Sequence, residues 1–355
     1  MSINLHKNII KKIEDYKLIG KSKDSFFSSE LRKLIKHHYY NSKEYQKFLI
    51  YNKYNLNNVE LNKFPFLPSS LFKEIDLKSI PDNKIHKILT SSGTSGFAPS
   101  RIYLDRINAQ NQTIALSKIM SGVLGNHRLP MLIIDQNLSV TKNTFSARVA
   151  AINGFSIFGT NHHYIFDSKG RINQNKLKLF LRKYSNKSFF IFGFTSLVHK
   201  CFFELIKNNK YNFSGGILLH GGGWKKMEAK KISNKSFKKY LINKFNFKEV
   251  VNYYGMVEQT GSIFLECKHC MNFITSYYSD ILIRDKNFNI VEDGKKGLIQ
   301  LFSLLPTSYP GHSILTEDIG EIVKNNNCKC STVGKSFKVH GRSISSDLRG
   351  CSDTI

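Results

Sequence analysis

Apolar residues recur at helical spacing through the first 88 positions. Ile9, Ile10, Ile13 and Tyr16 fall on one face, as do Phe27, Leu31, Leu34 and Ile35, with lysines between them. This spacing predicts a mostly helical cap over residues 1–88, which Pro65 and Pro68 interrupt before an extended run toward residue 90. From 89 to 265 the pattern becomes short continuous apolar runs, at Met131 to Ile134, Phe189 to Phe192, Ile217 to Leu219 and Val250 to Tyr254. Helical stretches alternate with them, at Asn173 to Tyr184, Ser196 to Lys207 and Lys226 to Phe245. Buried strands that alternate with helices predict an α/β core, a mostly parallel sheet covered on both faces. Ligands in such sheets lie beyond the carboxyl ends of the strands. After 265 the texture changes to alternating, glycine-punctuated runs at Asp280 to Ile283, Gly297 to Phe302 and Asp318 to Val323. These predict a smaller β-rich subdomain over 266–340, followed by a tail over 341–355.

Composition adds bounds. The 355 residues, 41% hydrophobic with 27 phenylalanines, suffice for one large or two ordinary domains with a real core. Fifty-three basic against 26 acidic residues give a net charge of +27, which by itself would suggest an anionic partner. The lysines are spread along the whole chain with no nucleic-acid-binding signature, so a solvated surface is the preferred reading over nucleic acid. No window holds the roughly 18 apolar residues of a membrane-spanning helix, and residues 1–7 lack a signal-peptide apolar region. The expected location is cytoplasmic, where six cysteines serve as thiols, metal ligands or catalysts rather than as a disulfide framework.

Candidate chemistry starts at Ser91-Ser92-Gly93-Thr94-Ser95-Gly96. Hydroxyls and glycines build no core, but backbone N–H groups and hydroxyls in such a run can wrap a phosphate. The loop lacks the Gly-Lys-Ser/Thr ending of a Walker motif. Helical periodicity resumes at Asp105, so a short strand is expected to follow the loop and lead into a helix. Further on, His220-Gly221-Gly222-Gly223-Trp224 places three glycines after a strand, where a flat ring or a phosphate could lie on the backbone. Trp224 reads equally as a core aromatic. Asn252-Tyr253-Tyr254-Gly255-Met256-Val257-Glu258 carries a strand into a glycine turn, and Glu258 could hold Mg²⁺ against phosphate or cap a helix. Glu317 and Asp318 form a carboxylate pair expected just before a strand. Cys267, Cys270, Cys328 and Cys330 could close a tetrahedral zinc site, with His269 as a competing ligand, or could be unconnected thiols. Cys351, near Arg349, has the positive surroundings that favour a thiolate, or is an inert terminal thiol.

In this order and at these separations the motifs resemble those of the adenylate-forming enzymes. Ser91 to Gly96 looks like their phosphate loop, and Gly221 to Gly223 resembles the glycine turn that borders adenine. Tyr254-Gly255 through Glu258 resembles their Tyr-Gly-x-x-Glu element. Asp318 stands where their ribose-binding aspartate does, and Gly341-Arg342 where their hinge-side Gly-Arg does. Within that superfamily the chain is most similar to LuxE-type acyl-protein synthetases, relatives of the phenylacetate-CoA ligases. The words that carry this are Phe192-Gly193-Phe194-Thr195-Ser196, His220 to Lys225, Tyr254 to Gly261, and Arg349-Gly350-Cys351-Ser352.

The resemblance implies the large α/β domain of that fold with a smaller β-rich subdomain, the mobile C-terminal lid being largely absent. It also implies ATP and Mg²⁺ as cofactors and a fatty or other carboxylic acid as substrate, activated as acyl-AMP. Ser91, Ser92, Gly93, Thr94, Ser95 and Gly96 would then hold phosphates, Gly222, Gly223, Tyr254 and Gly255 would flank adenine, and Glu258 would bind Mg²⁺. Asp318 and Arg342 would hold ribose. Cys351 matches the acyl-accepting cysteine, ahead of a partner such as a fatty-acid reductase or a carrier protein. Two departures are visible: no lid lysine follows the hinge motif, and Pro99-Ser100-Arg101 replaces the usual Pro-Lys ending of the phosphate loop. Two alternatives stay open, a ligase that acylates coenzyme A or a carrier protein, and a non-catalytic basic protein that keeps the fold.

Overall fold

The computed structural model describes residues 9–19, 23–56, 63–91, 99–137, 147–224, 230–324, 328 and 334–343. They divide into two compact units. The first holds the described residues up to Ile119 together with those from Gly255 onward, and the second runs from Met120 to Tyr254.

The first unit begins with helices α1 (Ile9–Ile19), α2 (Lys23–Asn41) and α3 (Lys43–Tyr51), then the short β1 (Leu67–Pro68) and α4 (Leu71–Glu74). Phe27, Leu31, Leu34 and Ile35 of α2 are buried, as their spacing predicts. An antiparallel hairpin follows, β2 (Lys87–Thr90) and β3 (Arg101–Leu104), which pairs Lys87 with Leu104 and Thr90 with Arg101. Helix α5 (Arg106–Leu124) starts where periodicity resumes, capped by the Asp105 carboxylate, which accepts from the Asn108 N–H at 2.7 Å.

The second unit is built on five parallel strands. In chain order its elements are β4 (Leu129–Gln136), α6 (Ala147–Ser156), β5 (Gly159–Phe166), α7 (Gln174–Lys183), β6 (Phe189–Phe194), α8 (Thr195–His199) with a π-helical turn (Lys200–Leu205), β7 (Gly216–Gly221), α9 (Asn234–Phe245) and β8 (Glu249–Tyr254). The strand order is β8-β7-β6-β4-β5. Every residue of β6 is buried, which fits a strand covered on both faces and explains its unbroken apolar run. Of the helical stretch expected over Lys226 to Phe245, residues 226–229 lie outside the described residues, and helix α9 starts at Asn234. The Ser233 hydroxyl accepts from the Ser236 N–H and caps it there, and Asn246 closes it in the left-handed region at φ 57. At the end of β4, Asp135 accepts from Arg148 Nε at 2.7 Å and from Arg148 Nη2, with both side chains buried.

The chain returns to the first unit with β9 (Phe264–Glu266), β10 (Phe273–Ile274), β11 (Ser279–Arg284), β12 (Gly297–Ser303), β13 (Ser313–Val323) and β14 (Ser336–Arg342). Their order is β11-β12-β13-β14-β10-β9, and β1 joins β13 in parallel. The helices α1 to α4 pack their apolar faces on Phe302 and Ile314 of this sheet and on Leu304 and Tyr309 of the β12–β13 connection in one hydrophobic core. Two polar groups thread that core. The Asn108 side chain donates to Leu305 O and accepts from the N–H groups of Thr307 and Ser308. The His312 ring stacks on His38 at 4.8 Å, and its Nε2 lies 3.2 Å from Tyr45 Oη. His312 is fully buried, and desolvation lowers its pKa to about 3, so it is neutral.

Candidate active site

The phosphate-loop candidate is closed off at its base. Ser91 and Ser100 flank it: the Ser91 N–H donates to Ser100 O at 3.1 Å, and the Ser100 N–H donates to Ser91 Oγ at 2.7 Å. These bonds extend the β2–β3 ladder by one rung, so the two ends of the loop are held together. Ser92, Gly93, Thr94, Ser95 and Gly96 lie outside the described residues.

From this base a buried bond reaches Glu258. The Ser100 hydroxyl donates to Glu258 Oε1 at 2.7 Å, with both residues buried. Glu258 sits in a 3₁₀ turn (Val257–Gln259) just after the Tyr-Gly pair. Burial raises its pKa, while the Ser100 bond and the charges of Lys73 and Arg342 act in the opposite sense. The turn itself is fixed from three sides. Tyr309 Oη donates to Glu258 O at 2.8 Å, and Gln259 Nε2 donates to Leu301 O and Gly311 O. Gly261 has φ +87°, and a Cβ there would come within 2.8 Å of Gln112 Cα and O, so only glycine fits.

Asp318 and Arg342 face each other as register partners on β13 and β14, with Arg342 Nε 3.9 Å from Asp318 Oδ1. Arg342 Nη1 is also 3.8 Å from Glu317 Oε2. The carboxylate pair therefore lies inside a strand and not, as expected from the sequence, ahead of one; β13 simply begins earlier, at Ser313. Arg101, the residue in place of a phosphate-loop lysine, pairs with Asp76, at 2.9 Å from Nε to Oδ1.

In the second unit the glycine turn leaves the carboxyl end of β7. Register partners Phe194, Gly221 and Tyr253 align the ends of β6, β7 and β8. A Cβ on Gly221 would collide with the Tyr253 ring at 2.4 Å, and Gly222 takes φ +76° over Phe194. The Thr195 hydroxyl donates to Gly221 O at 3.0 Å and lies 3.1 Å from His220 Nδ1. Its one proton is spent on the carbonyl, so His220 donates from Nδ1, and its buried Nε2 has no partner among the described residues. Burial lowers the His220 pKa to about 3. Trp224 packs edge-on to His199 and Phe237 at 5.2 and 5.9 Å. Phe155, Phe192 and Phe194 are buried and pack on one another as core, with the half-buried Tyr253 ring against Phe155.

Of the residues singled out in the sequence, Ser91, Gly255, Glu258, Asp318 and Arg342 belong to the first unit, while Gly222, Gly223 and Tyr254 belong to the second. Cys267, Cys270 and Cys328 come together in the first. Cys330 and Cys351 lie outside the described residues. Ser100 and Thr195 are additions: each stood in a quoted motif, but nothing local signalled its bond. The donor set fits the implied ligands. A carboxylate with a hydroxyl on one oxygen suits a hard divalent cation such as Mg²⁺, and a glycine turn free of side chains suits a flat ring.

Residues 4–355 match the family model described as acyl-protein synthetase, LuxE. A long-chain-fatty-acid–luciferin-component ligase of Aliivibrio fischeri is 24% identical over 301 residues, 83% of this chain and 78% of that protein. Its namesake from Vibrio harveyi is 22% identical over 329 residues, covering 89% and 83%. Among solved structures, 2-hydroxyisobutyryl-CoA ligase, crystallised in an open conformation with 2-HIB-AMP and CoA, superposes with a TM-score of 0.68 at 13% identity, covering 90% of this chain and 69% of that one. At this identity the likeness shows the fold, that of an adenylate-forming ligase.

Proposed function

This chain belongs to the LuxE family of acyl-protein synthetases, acid–thiol ligases, and on that premise we propose that it activates a fatty acid with ATP and passes the acyl group to a protein thiol. The observation that carries this reading is the Ser100–Glu258 bond, which ties the base of the hydroxyl-and-glycine loop to the acid of the Tyr-Gly-x-x-Glu element. Those are the two motifs that phosphate chemistry needs side by side.

In the first half-reaction a fatty-acid carboxylate oxygen attacks the α-phosphorus of ATP. A new P–O bond forms, the bond to the β-phosphate bridging oxygen breaks, and pyrophosphate leaves with the electron pair. The protein's part is positioning and charge stabilisation. Ser91 to Gly96 offer N–H and hydroxyl donors to the phosphates, Gly222, Gly223 and Tyr254 bound the adenine, and Asp318 accepts from the ribose hydroxyls with Arg342 beside it. Glu258 would hold Mg²⁺, which neutralises phosphate charge when bound. In the second half-reaction a thiolate attacks the acyl carbon of acyl-AMP, the thioester forms, and AMP leaves. Cys351 is the proposed acceptor, and an acceptor protein such as a fatty-acid reductase or a carrier would take the acyl group onward. Among the described residues no helix is long and apolar enough to cross a membrane, and a supply of ATP and reduced thiols suits the cytoplasm.

Pyrophosphate exchange with a panel of fatty acids tests the first half-reaction. Acid-dependent return of labelled pyrophosphate into ATP is expected; no exchange with any acid from short to long chain would overturn the proposal.

A further inference from the structure

Away from the nucleotide elements, the turn between β9 and β10 has a shape that metal-binding cysteine pairs adopt. The Cys267 N–H donates to Asn272 O and the Met271 N–H donates to Cys267 O, so the chain doubles back tightly. Met271 takes φ 57, a left-handed position just after the second cysteine. The His269 N–H donates to Cys267 Sγ at 3.2 Å, a bond that strengthens as the sulfur gains negative charge. From the connection between β13 and β14, Cys328 brings its Sγ to 3.8 Å from that of Cys267. The sulfurs of Cys267, Cys270 and Cys328 all lie within 4.8 Å of one another. Zinc–sulfur bonds of about 2.3 Å at tetrahedral angles put neighbouring sulfurs about 3.8 Å apart, so little movement would close them on an ion.

We propose that in the reduced protein Cys267, Cys270 and Cys328 bind one Zn²⁺ as thiolates, clipping the β9–β10 turn to the β13–β14 connection. Cys328 is disulfide-bonded in the structure, so the metal-holding form follows reduction. A dithiol reductant supplies two electrons and two protons, opens that bond to two thiols and itself closes to a disulfide. Zinc then displaces one proton from each ligand thiol. The clip would hold the adjoining ends of β13 and β14, the strands that carry Asp318 and Arg342, against β10.

Metal analysis of the full chain, purified in a phosphine reductant without chelator and supplemented with zinc, tests this. About one zinc per chain is expected, together with the absorption of tetrahedral thiolate-bound cobalt after exchange into Co²⁺. Cys267→Ser, Cys270→Ser and Cys328→Ser should each lower zinc retention by at least about tenfold. Folded, reduced wild-type protein without zinc, or equal zinc in all three variants, would overturn the proposal. If the variants fail to fold, the wild-type zinc content and the cobalt spectrum decide alone, since a spectrum without thiolate charge transfer also refutes it.

Discussion

The hydroxyl of Ser100 donates to the carboxylate of Glu258 at 2.7 Å, joining residues 158 positions apart. A hydrogen bond to a buried charged group contributes about 1.5–3 kcal/mol. Ser100→Ala should therefore lower kcat/KM in pyrophosphate exchange by about tenfold to a hundredfold. Ser100→Thr, which keeps the donor, should recover most of it.

Cys351→Ser separates the two half-reactions. Acyl-AMP formation should persist while acid-stable acyl label on the protein disappears, as read by intact-mass spectrometry after incubation with ATP and fatty acid. Undiminished label on the variant would remove Cys351 from the pathway, and label appearing on added coenzyme A instead would favour the CoA-ligase alternative.

Arg148 and Asp135 are both buried, so removal of the arginine leaves the carboxylate in the interior without this counter-charge. Arg148→Met should destabilise the protein by about 3–5 kcal/mol. Adding Asp135→Leu should restore part of that loss, because the stranded carboxylate is gone. Urea denaturation of the single and double variants gives the comparison.

His312 gives the protein an acid limit. Its folded pKa of about 3 is below the ordinary 6.5, so the unfolded chain binds the extra proton first. The stability it contributes is fully present above 6.5 and is lost as pH falls through the window down to about 3. His220 has the same sign and a similar window. Stability measured from pH 7 to 4 should fall with a slope that His312→Gln reduces by up to one proton.

Gly261→Ala tests the support of the Glu258 turn. Positive φ and the Gln112 backbone both oppose a Cβ, and the loss should exceed about 1 kcal/mol. Thermal melting should show it, along with a rise in KM for ATP as the Glu258 turn shifts.

Much of this was legible in the chain because continuous burial leaves a plain mark. Phe189 to Phe192 reads as a strand covered on both faces, which the structure extends to Phe194, and the change of period at Asp105 marks the start of α5 within one residue. Strand β5 leaves no such mark, because it lies at the sheet edge and carries Asn161, His162 and His163 exposed or half-buried, which hides the apolar alternation. The helical stretch expected from Lys226 lies outside the described residues as far as 229, and beyond that point the Ser233 hydroxyl, a tertiary-independent cap that periodicity does not register, sets the start of α9. The motifs of the candidate site could be read singly. Their linkage could not, because Ser100 and Glu258, or Thr195 and His220, meet only through tertiary structure that no local pattern encodes.

The division of the chain bears on how it is made. The second unit is a single uninterrupted stretch, whereas the first is assembled from residues on either side of it. During synthesis the central stretch can complete its five parallel strands as soon as it clears the ribosome. Phe27, Leu31 and Leu34 must meanwhile await Phe302, Tyr309 and Ile314, which are made only after the whole of that central stretch. For that interval the N-terminal helices carry an uncovered greasy face, so a prematurely terminated product ending near residue 254 would be a client for chaperones and a seed for aggregation.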